Sequence, residues 1–349
     1  MSSSDTLTLG LAPALTVEEV LRFGPLTLSP VGQSGDDALR AVAARFARER
    51  GAHPERQALV TCPENLRPLV LTVWPLFVFA CVTYARRREH SPPGVTFPEN
   101  FHLLSVTSTP HGLVYDSGHS LGIGDAEHVP LRWPVDDRAT LREGWWDRRI
   151  ERACRDLAKD PAASAANATV VAAGMAADLA CAAMERRNQK VENVATGART
   201  YVLLGSAFEA LHCKGSSARH THADVIKGVE RLNPGSTSLG DKVFSEAGIE
   251  RPPRPEPGTE TTRPMFAVAQ LVYLRNTYAH GRAPAASDFT LPPELNGCHP
   301  MHAATLILAA LVGDELLNVV GWTSEPFAAM YEGEDLLEAL AEAIIPAGP

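Results

Sequence analysis

The apolar periodicity of the chain changes near residue 165, and this change limits its possible folds more than any single residue does. Before that point, short apolar runs alternate with Gly and Pro; after it, Ala-rich segments of helical period follow one another. Thr169 to Arg186 carries small residues on several faces, which permits close helix–helix packing. Thr196 to His212 sets Tyr201, Leu204, Phe208 and Leu211 on an i, i+3/i+4 stripe. Asp224 to Leu232 reads as a short helix, and 233–262 as a Pro/Gly/Ser-rich surface loop. His302 to Val320 reads as a strongly apolar helix and Asp335 to Ile345 as an acidic amphipathic one. Elements in this order predict a helical bundle.

The first part follows other rules. Thr6 to Leu11 and Leu21 to Leu28, set between Gly and Pro, predict a β-rich start, and Phe101 to Val106 and Gly112 to Tyr115 are further β-type fragments. Asp36 to Arg50 is a helix capped by Asp36 or Asp37, with Leu39, Val42, Ala43 and Phe46 as its stripe and Gly51 as its stop. Leu69 to Tyr84 is almost wholly apolar, and period does not separate a helix from buried strands there. The expected class is α+β: a β-rich α+β domain over 1–137, a basic helical connector over 138–164, and an all-α helical domain over 165–349.

The connector alternates Arg148, Arg149, Arg152 and Arg155 with Asp147, Glu151 and Asp156, and places Trp145 and Trp146 beside them. Mixed-sign charge is the usual pattern of a solvated helix face, with the Trp rings packed on a neighbouring domain. The sharper reading makes Arg148, Arg149 and Arg152 phosphate contacts and Trp145 and Trp146 stacking platforms for RNA bases.

One stretch of the helical part reads as chemistry. From Pro264 the residues Phe266, Val268, Leu271, Val272 and Leu274 keep a helical rhythm that ends at Gly281, a natural left-handed stop. The last turns present Arg275, Asn276 and His280. Asn276 and His280 are four apart and share a face, and the long Arg275 side chain reaches over the same end. A titratable imidazole beside a fixed cation suits catalysis on a phosphodiester, with proton transfer from His and charge stabilisation from Arg.

Leu274-Arg275-Asn276 followed by Ala279-His280-Gly281 resembles the Arg-polar-x-x-x-His signature of the HEPN superfamily of ribonucleases, and more specifically its Apea-like branch. The upstream string Leu204-Gly205-Ser206-Ala207-Phe208-Glu209-Ala210-Leu211 is similar to that branch's "LEAL"-type core, with Phe208 where Leu is usual. The likeness covers roughly residues 165 to 325, the extent of helical pattern around both segments. It implies an all-α HEPN-like bundle and a metal-independent endoribonuclease. Two subunits would pair through their motif helices and build one cleft from two Arg–His sets. The products would carry 2′,3′-cyclic phosphate and 5′-hydroxyl ends, and a defence or toxin role would fit. His280 would serve as base or acid, Arg275 would offset phosphoryl charge, and Asn276 would position either group. Glu209 either holds Arg275 or orients His280, or else is a solvated position between Phe208 and Leu211. The Tyr278 hydroxyl touches a phosphate, or its ring packs in a dimer interface.

Other constellations point elsewhere or nowhere. His212, Cys213, His220 and His222, and Cys298, His299 and His302, match no standard zinc spacing. Gly118 to Gly124 lacks the Lys-Ser/Thr of a phosphate loop and reads as a turn. No metal and no cofactor are expected. Cys62, Cys81, Cys154, Cys181, Cys213 and Cys298 lack paired spacing, and the N-terminus lacks a signal-peptide pattern, so a cytoplasmic protein with reduced thiols is expected. Leu69 to Tyr84 contains Pro75 and falls short of membrane-spanning length, so no membrane partner is expected.

Between Ala283 and Pro349 there are ten acidic residues and no Lys or Arg, which puts −10 of the net −9 there and leaves +1 for residues 1–282. RNA must therefore approach away from the acidic C-terminal segment. The N-terminal domain would sense a ligand or regulatory partner, or select the substrate. A non-catalytic helical dimerisation, RNA-binding or ligand-sensing module is the alternative from another function class.

Overall fold

A computed structural model of the protein describes residues 6–50, 53–87, 94–109, 112–116, 121–124, 139–185, 194–216, 220–229, 263–291 and 299–321. The chain is a mixed α+β protein with a helical majority, and it divides into two compact units at Ala165/Ala166. The surface loop expected over 233–262, the acidic helix expected over Asp335 to Ile345, and Cys298 lie outside the described residues.

In the first unit a five-stranded sheet has the order β2-β3-β4-β1-β8. Its strands are β1 (Thr6–Val17), β2 (Leu21–Phe23), β3 (Leu26–Pro30), β4 (Gln57–Pro63) and β8 (Ala139–Leu141). The central β1 is antiparallel to β4 and parallel to β8. Six consecutive buried residues in β1, Gly10 to Leu15, mark a strand covered on both faces. The β2–β3 hairpin turns at Gly24, whose φ of +53° favours glycine, and a Cβ there would lie 2.9 Å from Cys154 Cβ. A second sheet is the meander β5 (Ser105–Thr109), β6 (Gly112–Asp116) and β7 (Leu121–Gly124), so the end of the Gly118–Gly124 run is a strand.

Helix α1 (Asp37–Arg50) begins where Asp36 Oδ1 accepts the N–H groups of Ala38 and Leu39 at 2.9 and 3.2 Å. Its stripe of Leu39, Val42, Ala43 and Phe46 packs with Leu11, Val31, Leu59 and Leu104. Helix α2 (Arg67–Arg87) resolves the apolar stretch as helical: its 21 residues are far longer than an ordinary strand. Pro75 removes one hydrogen bond to the carbonyl of Leu71, and Leu71 is 87% exposed, so water can replace the missing donor.

The stretch expected as a connector is instead built into this unit. Leu15, Thr16 and Val17 pair with Ala139, Thr140 and Leu141, and Trp146 is buried with its ring 5.9 Å from Phe23 and 6.3 Å from Phe77. Helix α3 (Arg148–Leu157) buries Ile150, Ala153, Cys154 and Leu157 at i, i+3, i+4 and i+7, and of its charged residues Arg149 is buried with them. A short helix, α4 (Pro161–Ala166), spans the boundary between the units.

The described part of the second unit is helical throughout: α5 (Ala168–Met184), α6 (Val194–Cys213), α7 (His222–Lys227), α8 (Arg263–Ala279) and α9 (Pro300–Val319). Ala172, Ala173, Ala176, Ala177 and Ala180 let α5 lie close against α6. Helix α9 packs against α5, α6 and α8, and fifteen of its residues are buried. Two segments, Glu64–Arg86 and Pro300–Val319, are long and apolar enough to cross a membrane by length and composition alone. Their windows are 61% and 78% buried within the protein, as core helices also are.

Candidate functional site

Helix α8 is buried on every side from Met265 to Val272, and beyond Leu274 its last turns come partly into contact with solvent. The helix closes in a Schellman motif. Gly281, at φ +71°, donates to the Tyr278 carbonyl, and Arg282 donates to that of Thr277, both at 2.9 Å. His280 is the last residue before this stop and still donates its N–H to Asn276 O.

At about 100° per residue, Arg275 and His280 point about 140° apart around the helix axis. Arg275 turns inward to α6 and α7. Its Nη2 is 3.1 and 3.2 Å from the two carboxylate oxygens of Glu209, and its Nη1 donates to Asn276 Oδ1 at 3.2 Å. The same Nη1 stands 2.9 Å from His222 Nε2. His222 also faces Glu209 Oε1 at 3.4 Å through Nε2, and Asn276 Nδ2 at 3.3 Å through Nδ1. Four side chains from three helices therefore meet: Glu209, His222, Arg275 and Asn276. His280 is exposed, and no polar partner of its ring is found among the described residues. The expected trio is thus not gathered within one chain; Arg275 and Asn276 are, together with Glu209.

Helix α6 makes room for this. A Cβ at Gly205 would lie 3.0 Å from Arg275 Cδ and 3.1 Å from Cγ, so the arginine stem occupies the space that a side chain would fill. Arg275 Nε is buried without a hydrogen-bond partner among the described residues, a cost of roughly 1–3 kcal/mol. At Gly197 a Cβ would meet Tyr278 Oη at 2.5 Å. Tyr278 stacks on Tyr201 with ring centres 5.8 Å apart, and Tyr201 continues to Phe289 at the same distance. Burial pushes the hydroxyls of both tyrosines above the ordinary tyrosine range, and for Tyr201 the neighbouring Tyr278 adds to the effect. Tyr278 thus packs inside its own chain. Gly197, Tyr201, Gly205 and Glu209 recur every four residues and form the face of α6 toward α8. Sequence reasoning passed over this spacing, and it was the one readable signal for the two gaps.

His222 was noticed only as part of a possible metal cluster. It follows the N-cap Thr221, which forms a capping box with Asp224. Hydrogen bonds from Thr221 lower the Asp224 carboxyl below its ordinary range. His212 and His220 meet edge to face at 5.1 Å, and among the described residues no three His, Cys, Asp or Glu side chains are placed to hold a metal.

The RNA-contacting surface drawn from 138–164 needs correction. Trp146 and Arg149 are each 1% exposed. The Trp146 indole N–H donates to Glu151, and Arg149 is paired with Asp147, so neither faces solvent. Trp145 lies under the Arg142 guanidinium at 5.4 Å, while Arg148 and Arg152 remain on the outer side of α3.

Comparison with protein-family models, with curated proteins and with solved structures gives no match to this chain.

Proposed function

We propose that the protein is a metal-independent endoribonuclease of the HEPN type, in which a 2′-hydroxyl attacks the adjacent phosphorus to give 2′,3′-cyclic phosphate and 5′-hydroxyl ends. The observation that carries the reading is the placement of Arg275. A motif arginine is folded into a gap at Gly205, held by a carboxylate, an amide and an imidazole, and left 22% exposed at its side chain. A guanidinium held in place, partly dried and still reachable is what stabilisation of a phosphoryl oxygen requires. His280, at the end of the same helix, is exposed, and the resemblance implies a homodimer in which it shares a cleft with a second copy of α8. The first unit then selects the substrate or senses a trigger, and the setting is cellular defence or a toxin.

The test is cleavage of total RNA in EDTA. Wild-type protein is expected to leave cyclic phosphate ends, and Arg275→Ala and His280→Ala to reduce the rate about 100-fold or more. Undiminished cleavage by both variants would sink the reading. The second reading, a non-catalytic dimerisation or RNA-binding module, draws on the Arg275–Glu209 ion pair, since an arginine so engaged also fits a structural part. An inactive wild type whose Arg275→Ala variant dissociates into monomers would favour it.

A further inference from the structure

The proposed reaction moves two protons, one off the 2′-hydroxyl and one onto the departing 5′-oxygen, and within one chain the motif histidine does not stand beside Arg275. A second imidazole is present at Arg275. His222 belongs to α7, 53 residues from Arg275 in sequence, and its Nε2 lies 2.9 Å from Arg275 Nη1. A guanidinium has donors only, so as a hydrogen bond this contact uses the lone pair of Nε2, the same lone pair that would take up a proton. Glu209 Oε1 lies 3.4 Å from the same nitrogen. A proton arriving on Nε2 therefore meets a carboxylate already in place.

Asn276 meets the far edge of the ring at 3.3 Å. Two donors, Arg275 Nη1 and Asn276 Nδ2, thus face two ring nitrogens, and a neutral imidazole satisfies one of them at a time. The ring is confined without being saturated. His222 and Glu209 side chains are each 34% exposed, which leaves a path for a substrate. His280, on another face of α8, has none of these partners among the described residues.

We infer that His222 is the general base of this site and that His280 is thereby left to serve the leaving group. The inference rests on the ribonuclease reading. As Arg275 Nη1 turns from His222 Nε2 to a phosphoryl oxygen, the single lone pair of that nitrogen is freed; the O–H electron pair of the 2′-hydroxyl becomes the new O2′–P bond, and the proton passes to Nε2. The P–O5′ bond breaks with its pair on O5′, which takes a proton from the imidazolium of His280. Exchange with water restores both rings, and the transesterification consumes no co-reactant.

The test sets two substrates before the full-length protein. One is an RNA oligonucleotide, whose 5′-oxygen needs a proton to depart; the other is a nucleoside 3′-(p-nitrophenyl phosphate), whose nitrophenolate departs without one. His222→Gln keeps a side chain that can accept from Arg275 but cannot carry the proton. It is expected to lose about 100-fold or more in kcat on both substrates with KM little changed. His280→Ala is expected to lose a comparable factor on RNA and to regain most of it on the aryl ester. His222→Gln keeping more than about a tenth of wild-type kcat on the aryl ester overturns the inference and leaves the ribonuclease reading standing. Wild-type protein inert toward both substrates overturns the two together. Should His222→Gln unfold below the assay temperature, His222→Asn is judged by the same criteria.

Discussion

Each unit holds an arginine against a carboxylate, and the two pairs differ in depth. Arg149 and Asp147 are sealed in the first unit at 1% exposure each, and Asp147 also caps α3 through the Arg149 N–H. Arg275 and Glu209 in the second unit keep 22% and 34% of their side-chain surface in contact with solvent. Charges sealed from water cannot trade their partners for solvent, so the first pair is part of the fold. Charges that keep part of their surface in water exchange partners at a lower desolvation cost, so the second pair is the one on which the proposed reaction can draw. Depth is what separates the two arginines.

Asp147→Ala tests the sealed pair and should have the largest effect. It leaves a buried guanidinium without its carboxylate and α3 without its cap, and is expected to cost about 3–5 kcal/mol in urea unfolding. A loss below about 1 kcal/mol would erase the contrast between the units. The glycine gaps come next. Gly197→Ala drives a Cβ to 2.5 Å from Tyr278 Oη, so the stacked ring must move, at about 1–3 kcal/mol, partly offset by about 1 kcal/mol of helix propensity. Gly205→Ala presses only on the flexible Arg275 stem. Its unfolding free energy should stay within about 1 kcal/mol of wild type while RNA cleavage falls, which would separate site geometry from fold stability.

Glu209→Gln is smaller again. It should change stability by about 1 kcal/mol or less, because the pair is half-exposed. A cost as large as that of Asp147→Ala would mean that both pairs are structural. The smallest effect is alkaline. Tyr201 and Tyr278 titrate above the ordinary tyrosine value of about 10 in the folded chain, so the folded state holds their protons more tightly. Their contribution is fully present below that ordinary value and is lost as pH rises through the raised folded values. Unfolding midpoints should therefore decline in alkali, and Tyr278→Phe should flatten the decline.

Local rules in the sequence exposed much of the fold. Asp36 as a cap, the Tyr201/Leu204/Phe208/Leu211 stripe, the α8 stripe and the Gly281 stop are decisions made within a few residues, and each stands in the structure. Helix α2 was not legible, because a segment buried on most sides shows no period. The membership of 138–157 in the first unit was hidden for a different reason. The strand partner of Ala139 is Leu15, and the neighbours of Trp146 are Phe23 and Phe77; none is close in sequence. In the candidate site, Arg275 and Asn276 could be singled out because they fall in the motif that carries the resemblance, and Glu209 because it lies on the helix which that resemblance pairs with it. His222 could not be placed there, since its helix is only six residues long and its contact with Arg275 spans 53 positions.

The gaps at Gly197 and Gly205 have a consequence for alignment. Eight residues apart on a helix, they stand about 12 Å from one another, and they admit Tyr278 and Arg275 respectively. Together they work as two notches of a key, indexing α8 along α6. A slip of one helical turn, about 5.4 Å, would take Tyr278 and Arg275 off their notches and carry Arg275 away from Glu209. The meeting of opposite charges is thus timed by two residues that have no side chain at all. One residue inserted between the notches would swing one of them about 100° out of line, and would disturb the site more than exchanging Glu209 for aspartate.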